Sequence, residues 1–180
     1  MRITLCGLVG TGKGSTGHML ETMDVPFVSA GDYYRDIAKR ENISLDELER
    51  RSRDDQRYDD EVDRRTVRFG AERQEFIFDG RLAWFFIENT FKILLTCDFN
   101  TRISRVAIRD RVSLVRALEL TVERERLQRE RYDQLYALAD FDDPKYFDLV
   151  IDTTSMAKES VPEKIREVWK VHSFKKGVLV

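Results

Sequence analysis

The sequence predicts an α/β protein in which a five-stranded parallel sheet lies between two layers of helices. Three observations carry that expectation. Five short runs are apolar at consecutive positions, as strands covered on both faces are. Helical patterns alternate with these runs. A glycine-rich stretch bearing one lysine joins the first run to the first helix. At 180 residues the chain reads as one domain, residues 1–180, long enough to bury about 70% of its unfolded surface.

The strands are expected at Ile3–Cys6, Pro26–Ala30, Phe76–Asp79, Ile93–Thr96 and Leu149–Asp152. Helix Lys13–Met23 opens where the glycine-rich stretch ends. Helices Tyr33–Arg40, Leu45–Arg51 and Glu61–Gly70 fill the gap between the second and third strands. That gap is too long for one crossover, so it is expected to form a small helical insertion. The gap between the fourth and fifth strands is longer still, with helices at Arg102–Arg109 and Ser113–Ala139; Val161–Val171 closes the chain. Both gaps leave strand C-terminal ends, where ligands bind in such sheets.

The net charge is −2, which argues against a dedicated nucleic-acid binder. No run approaches the ~18 apolar residues of a membrane span and no leader pattern precedes Gly7. The expected location is the cytoplasm, with no membrane or nucleic-acid partner. Cys6 and Cys97 lack metal-ligand spacing and are expected to be buried thiols.

Gly7-Leu8-Val9-Gly10-Thr11-Gly12-Lys13 follows the first strand. Backbone amides of such a loop wrap an anion, lysine adds a point charge, and a helix N-terminus follows. The stretch points to a nucleoside triphosphate. Gly14 stands where Ser or Thr usually binds Mg²⁺; hydroxyls follow at Ser15 and Thr16. Gly12 to Gly17 also spells G-x-G-x-x-G with Asp32 twenty residues on, but it opens the helix instead of following the strand directly, so a dinucleotide fingerprint is disfavoured.

Basic residues stand at the exits of later strands. In Ser29-Ala30-Gly31-Asp32-Tyr33-Tyr34-Arg35, Asp32 is expected to cap the helix; Arg35 in its first turn suits a bound anion. In Asp79-Gly80-Arg81, the Asp suits a water-mediated Mg²⁺ ligand, and Arg81 is expected to reach the same crevice. Arg105 and Arg109 share one helix face, as do Arg124, Gln128 and Arg131. Glu125 with Arg129, and Arg126 with Glu130, are expected to lace an exposed helix. His18 is expected to be a packed helix residue.

In order and spacing these motifs resemble the cytidylate kinase family in its short archaeal form, from Ile3 to Asp152. The Gly-x-x-Gly-x-Gly-Lys-Gly-Ser loop is similar to that of nucleoside monophosphate kinases. The resemblance implies a three-layer αβα P-loop kinase fold with a monophosphate-binding helical insertion at 31–70 and a lid at 105–140. It implies ATP-dependent phosphorylation of CMP or dCMP by a monomer, with Mg²⁺. ATP would be held by Gly7, Gly10, Thr11, Gly12, Lys13, Gly14, Ser15, Thr16, Arg105 and Thr153. Ser29, Gly31, Asp32, Arg35, Arg81, Arg124, Gln128 and Arg131 would hold the monophosphate, with Arg124 and Gln128 near the base. Lys13, Arg81, Arg109 and Arg131 would be catalytic, and Ser15 and Asp79 would serve the metal. Gln128 stands where an acidic residue is common in that family. Three other readings stay open: an adenylate-kinase-like enzyme, a P-loop kinase for a hydroxylated acceptor, with Asp79 or Asp32 as base, and a non-catalytic nucleotide binder. The guanine-reading Asn-Lys-x-Asp pattern is absent.

Overall fold

The computed structural model describes residues 1–22 and 24–175. Strand β1 (Arg2–Cys6) is followed by α1 (Lys13–Leu20), β2 (Phe27–Ser29), α2 (Ala30–Arg40), α3 (Leu45–Arg51), α4 (Arg57–Glu72) and β3 (Phe76–Asp79). Then come α5 (Ala83–Phe86), β4 (Phe91–Thr96), α6 (Phe99–Asp110), α7 (Leu114–Tyr136), β5 (Leu149–Asp152) and α8 (Ser160–Lys175). The sheet is parallel throughout, in the order β2-β3-β1-β4-β5.

Alternation along each strand sends side chains to opposite faces. Ile3, Leu5, Ile77, Ile93, Leu95 and Ile151 pack on one face against Leu20 of α1 and Val161 and Ile165 of α8. On the other, Phe76 and Phe78 meet Ala83 and Ile87, while Cys6 and Leu94 meet Trp84, Tyr132 and Phe141. Each such buried side chain stabilises the fold by about 1.5–3 kcal/mol. The expectation of two covered faces holds for β1, β3 and β4; at the edge strand β5, Val150 is 40% exposed. Register sets the site: Asp79 lies opposite Leu5 on one side and Ser29 on the other.

Element boundaries differ from the sequence reading for local reasons. Helix α1 stops at Leu20 because Glu21 turns extended; Met23, its expected end, lies outside the described residues. Asp32 is not a cap. The Ser29 hydroxyl accepts from the Gly31 amide, so α2 starts at Ala30 and Asp32 falls in its first turn. The Asp55 carboxylate accepts from the Arg57 amide, and α4 begins there, before Glu61. Asp98 caps α6 through the Thr101 amide, four residues ahead of the expected start. Ala137, left-handed at φ 53°, ends α7. Helix α5 was not foreseen. The chain beyond residue 175 lies outside the described residues.

Gly17 lets α1 approach the sheet. A Cβ there would sit 2.1 Å from the Phe27 ring. That clash outweighs the ~1 kcal/mol alanine gains over glycine in a helix. Gly17→Ala is expected to destabilise by about 1–3 kcal/mol and lower Tm by roughly 3–10 °C. A thermal melt coincident with wild type would contradict the close approach.

Candidate active site

The loop leaving β1 is held by side chains reaching its carbonyls. Leu8 O accepts from Thr11 Oγ1 at 2.9 Å and Lys13 Nζ at 3.1 Å. Val9 O accepts from Arg102 at 3.1 Å, Gly10 O from Arg105 at 3.3 Å and Thr11 O from Thr153 Oγ1 at 3.1 Å. Four successive carbonyls are thereby engaged by the protein, leaving the amide edge of the loop for an anion. Gly10 (φ 83°) admits no side chain, since a Cβ would lie 2.8 Å from Arg102 O. Gly12 (φ 92°) caps α1, and both it and Gly14 face open space. The helix N-terminus adds its positive end.

This loop forms one wall of a cleft of about 650 Å³, within the range of small-molecule sites. The cleft gathers Gly10, Thr11, Gly12, Lys13, Gly14, Ser15, Thr16, Arg105 and Thr153 from the loop side. Facing them are Ser29, Gly31, Asp32, Arg35, Asp79, Arg81, Arg109, Arg124 and Gln128. Of the residues expected from sequence, Gly7 and Arg131 do not line it. Gly7 lies behind the loop, where a Cβ would meet Leu95 O at 2.4 Å. Arg131 sits with Asp59, its Nε 3.5 Å from Oδ2.

Charge in the cleft is only partly neutralised. Burial pulls the Lys13 ammonium pKa down, with Asp79 opposing. Burial likewise raises the Asp79 pKa, with Lys13 and Arg81 opposing, and lowers that of Arg81. The Ser29 hydroxyl approaches Asp79 Oδ2 at 3.5 Å. Arg81 Nη1, Arg124 Nε and Gln128 Oε1 are buried without a hydrogen-bond partner, a state that proteins keep for a ligand. Three cleft arginines rest on carboxylates: Arg35 on Asp32 at 2.5 Å, Arg109 on Asp110 at 2.7 Å and Arg124, through its Nη2, on Glu49 at 2.7 Å.

Among the described residues no three His, Cys, Asp or Glu side chains are grouped to hold a metal. A divalent ion here would rest on one carboxylate and substrate oxygens, the usual manner of Mg²⁺. Asp79, at the β3 exit, and the exposed Ser15, which lines the same cleft, fit that role by chemistry.

Several sequence expectations are corrected. Glu125 does not pair with Arg129. It bonds buried Arg102 at 2.6 Å, and Arg129 reaches Asp142 at 2.9 Å. The Arg126–Glu130 pair is present at 2.7 Å. His18 is exposed on the cleft wall, edge-on to Phe27. Cys6 is buried, its thiol pushed up to about 12 by burial; Cys97 is half-buried and accepts from Arg105 at 3.3 Å. Sequence reasoning passed over Arg102, Glu49 and Asp59. For Asp59 a signal existed: it falls in phase with Val62, Thr66 and Gly70, the buried stripe of α4.

The chain is similar to known proteins over most of its length. A model of the cytidylate kinase-like family matches residues 2–155. A cytidylate kinase of Methanothermobacter thermautotrophicus is 34% identical over 161 residues, 89% of this chain and 99% of its own. One of Methanocaldococcus jannaschii is 34% identical over 167 residues, 89% and 93% of the two chains. The solved shikimate kinase of Bacteroides thetaiotaomicron shares the fold, with a TM-score of 0.61 over 94% of this chain and 98% of its own at 16% identity.

Proposed function

The chain belongs to the cytidylate kinase-like family, and from that membership we propose that it is a nucleoside monophosphate kinase moving the γ-phosphoryl group of ATP to CMP or dCMP. The observation that carries this reading is convergence: a lysine-bearing phosphate loop and five arginines from four other segments face one cleft. Two anionic substrates need such an excess of positive charge.

An oxygen of the CMP phosphate attacks the γ-phosphorus, the bond to the β–γ bridging oxygen breaks, and ADP leaves. The nucleophile is already an anion, so no general base is required, and catalysis reduces to placement and charge. The loop amides and Lys13 hold the ATP phosphates. Arg81, with its unpartnered Nη1, stands between donor and acceptor, and Arg35 and Arg124 grip the acceptor phosphate. Arg35, Arg109 and Arg124 exchange their present carboxylate partners for phosphate oxygens, so positive charge is released where the substrates bring negative charge. Bound Mg²⁺, near Asp79 and Ser15, would supply further neutralisation of the phosphates. Segments 31–70 and 105–140 close over both substrates and exclude water. No helix among the described residues is long and apolar enough to cross a membrane.

ADP release measured with CMP, dCMP, UMP, AMP and dTMP tests the assignment. CMP and dCMP are expected to be the preferred acceptors. Silence with every nucleoside monophosphate would overturn it.

A further inference from the structure

Thr153 follows β5 and is 3% exposed. Its hydroxyl stands where three segments meet. Arg105 Nη1 of α6 donates to it at 3.0 Å. Thr11 O of the phosphate loop lies 3.1 Å away and Thr96 O of β4 3.0 Å away, both as acceptors. A hydroxyl has one hydrogen to give. Thr96 O already accepts from the Thr153 amide at 2.9 Å, whereas nothing else among the described residues donates to Thr11 O. The hydrogen therefore goes to Thr11 O, because a buried acceptor without a donor is costly. Arg105 completes the brace: its Nη1 also reaches Gly10 O at 3.3 Å, and its Nη2 bonds Thr153 O at 2.7 Å.

What the brace controls is the direction of an amide. In a planar trans peptide the C=O and the next N–H point opposite ways. With Thr11 O drawn to Thr153, the Gly12 N–H points to the other side of the loop, and Gly12 lines the cleft. Little else holds that peptide. The Thr11 side chain is pinned to Leu8 O at 2.9 Å, but Gly12 (φ 92°) has no Cβ and tolerates either sign of φ. Without the Thr153 hydrogen bond the peptide can turn over and present a carbonyl where a phosphate needs an amide.

We propose that Thr153 is a positioning residue for the phosphoryl donor: its hydroxyl holds the Thr11–Gly12 peptide in the orientation that offers the Gly12 amide to the ATP phosphates. This rests on the nucleoside monophosphate kinase reading above. The loop then has two arrangements, and donor affinity falls in proportion to the fraction of molecules in the receptive one. A loop receptive about one-tenth of the time binds about tenfold more weakly. Turnover at saturating ATP is unchanged, because bound phosphates hold the peptide themselves. Thr153 thus acts on ATP through the loop, in place of the direct contact expected from the sequence.

The test is calorimetric titration with Mg²⁺-ATP and with Mg²⁺-tripolyphosphate, which has no nucleoside, alongside steady-state kinetics. Thr153→Val keeps the side-chain shape and removes the hydroxyl. It is expected to raise Kd for both probes by the same factor, about tenfold, and KM for ATP likewise, with kcat and KM for CMP at wild-type values. Thr153→Ser, which keeps the hydroxyl, should restore both affinities. Should Thr153→Val fail to fold, Thr153→Ala, which sets no methyl against the two carbonyls, carries the same expectation. Weaker ATP binding with tripolyphosphate unchanged means that Thr153 touches the nucleoside, and overturns the inference. So does a folded variant that binds both probes as wild type does, one that raises KM for CMP as much as KM for ATP, or a serine variant no better than the valine. Wild type that binds both probes yet phosphorylates no nucleoside monophosphate overturns the kinase reading alone, and the two titrations still decide the brace.

Discussion

Lys13→Ala is expected to lower turnover by roughly 10²–10⁴-fold while leaving the protein folded. The size follows from removing one preorganised charge at a phosphoryl-transfer site, about 3–5 kcal/mol of transition-state stabilisation. The sparing of the fold follows from the environment. Burial disfavours the charged form of Lys13, so the side chain strains the folded state. Its one protein hydrogen bond, to Leu8 O, is shared with Thr11, which keeps that carbonyl engaged after truncation. Asp79 retains Arg81 as a counter-charge. Steady-state ADP release and a thermal melt on the same preparation check both halves. A folded variant with wild-type turnover would remove Lys13 from the chemistry.

That site was legible because its signals are local. The glycine and lysine spacing, the consecutive apolar strands and the basic residues at strand exits each depend on a few neighbouring positions, and register then brings them together. What stayed hidden depends on tertiary choice. On an isolated helix Glu125 and Arg129 are natural partners at i, i+4. In the folded chain α6 presents Arg102 to Glu125, and the turn after α7 presents Asp142 to Arg129. The α2 cap misled for a similar reason. Ser29 and Asp32 are both good capping residues, but β2 ends at Ser29, so the helix begins three residues before Asp32 could cap it. Arg131 shares a helical face with Arg124 and Gln128, yet the neighbouring α4 supplies Asp59 and draws it away from the cleft wall.

Arg102 joins the two halves of the site, and its loss is expected to have the largest effect on stability. Its Nη1 bonds Val9 O of the phosphate loop at 3.1 Å and Glu125 Oε1 of α7 at 2.6 Å. The pair is 6% and 15% exposed, so Arg102→Met strands a buried carboxylate. Breaking a buried pair in this way costs about 3–5 kcal/mol, a large share of the roughly 5–15 kcal/mol that holds a domain folded. At this chain length the Tm should fall by roughly 6–20 °C. Removing both charges is different. Arg102→Met with Glu125→Leu leaves no unpaired ion and should recover most of the lost stability. Activity should not recover with it. In the double variant Val9 O no longer has a donor, and α7, which carries Arg124, Gln128 and Arg131, loses its tie to the loop. Urea titrations of the four proteins give the coupling, and ADP release with CMP gives the functional consequence. If the double variant regains wild-type kcat along with its stability, Arg102 is only a structural ion-pair partner. If stability returns while kcat stays low, the same guanidinium that closes the core also sets the donor loop against the acceptor helix.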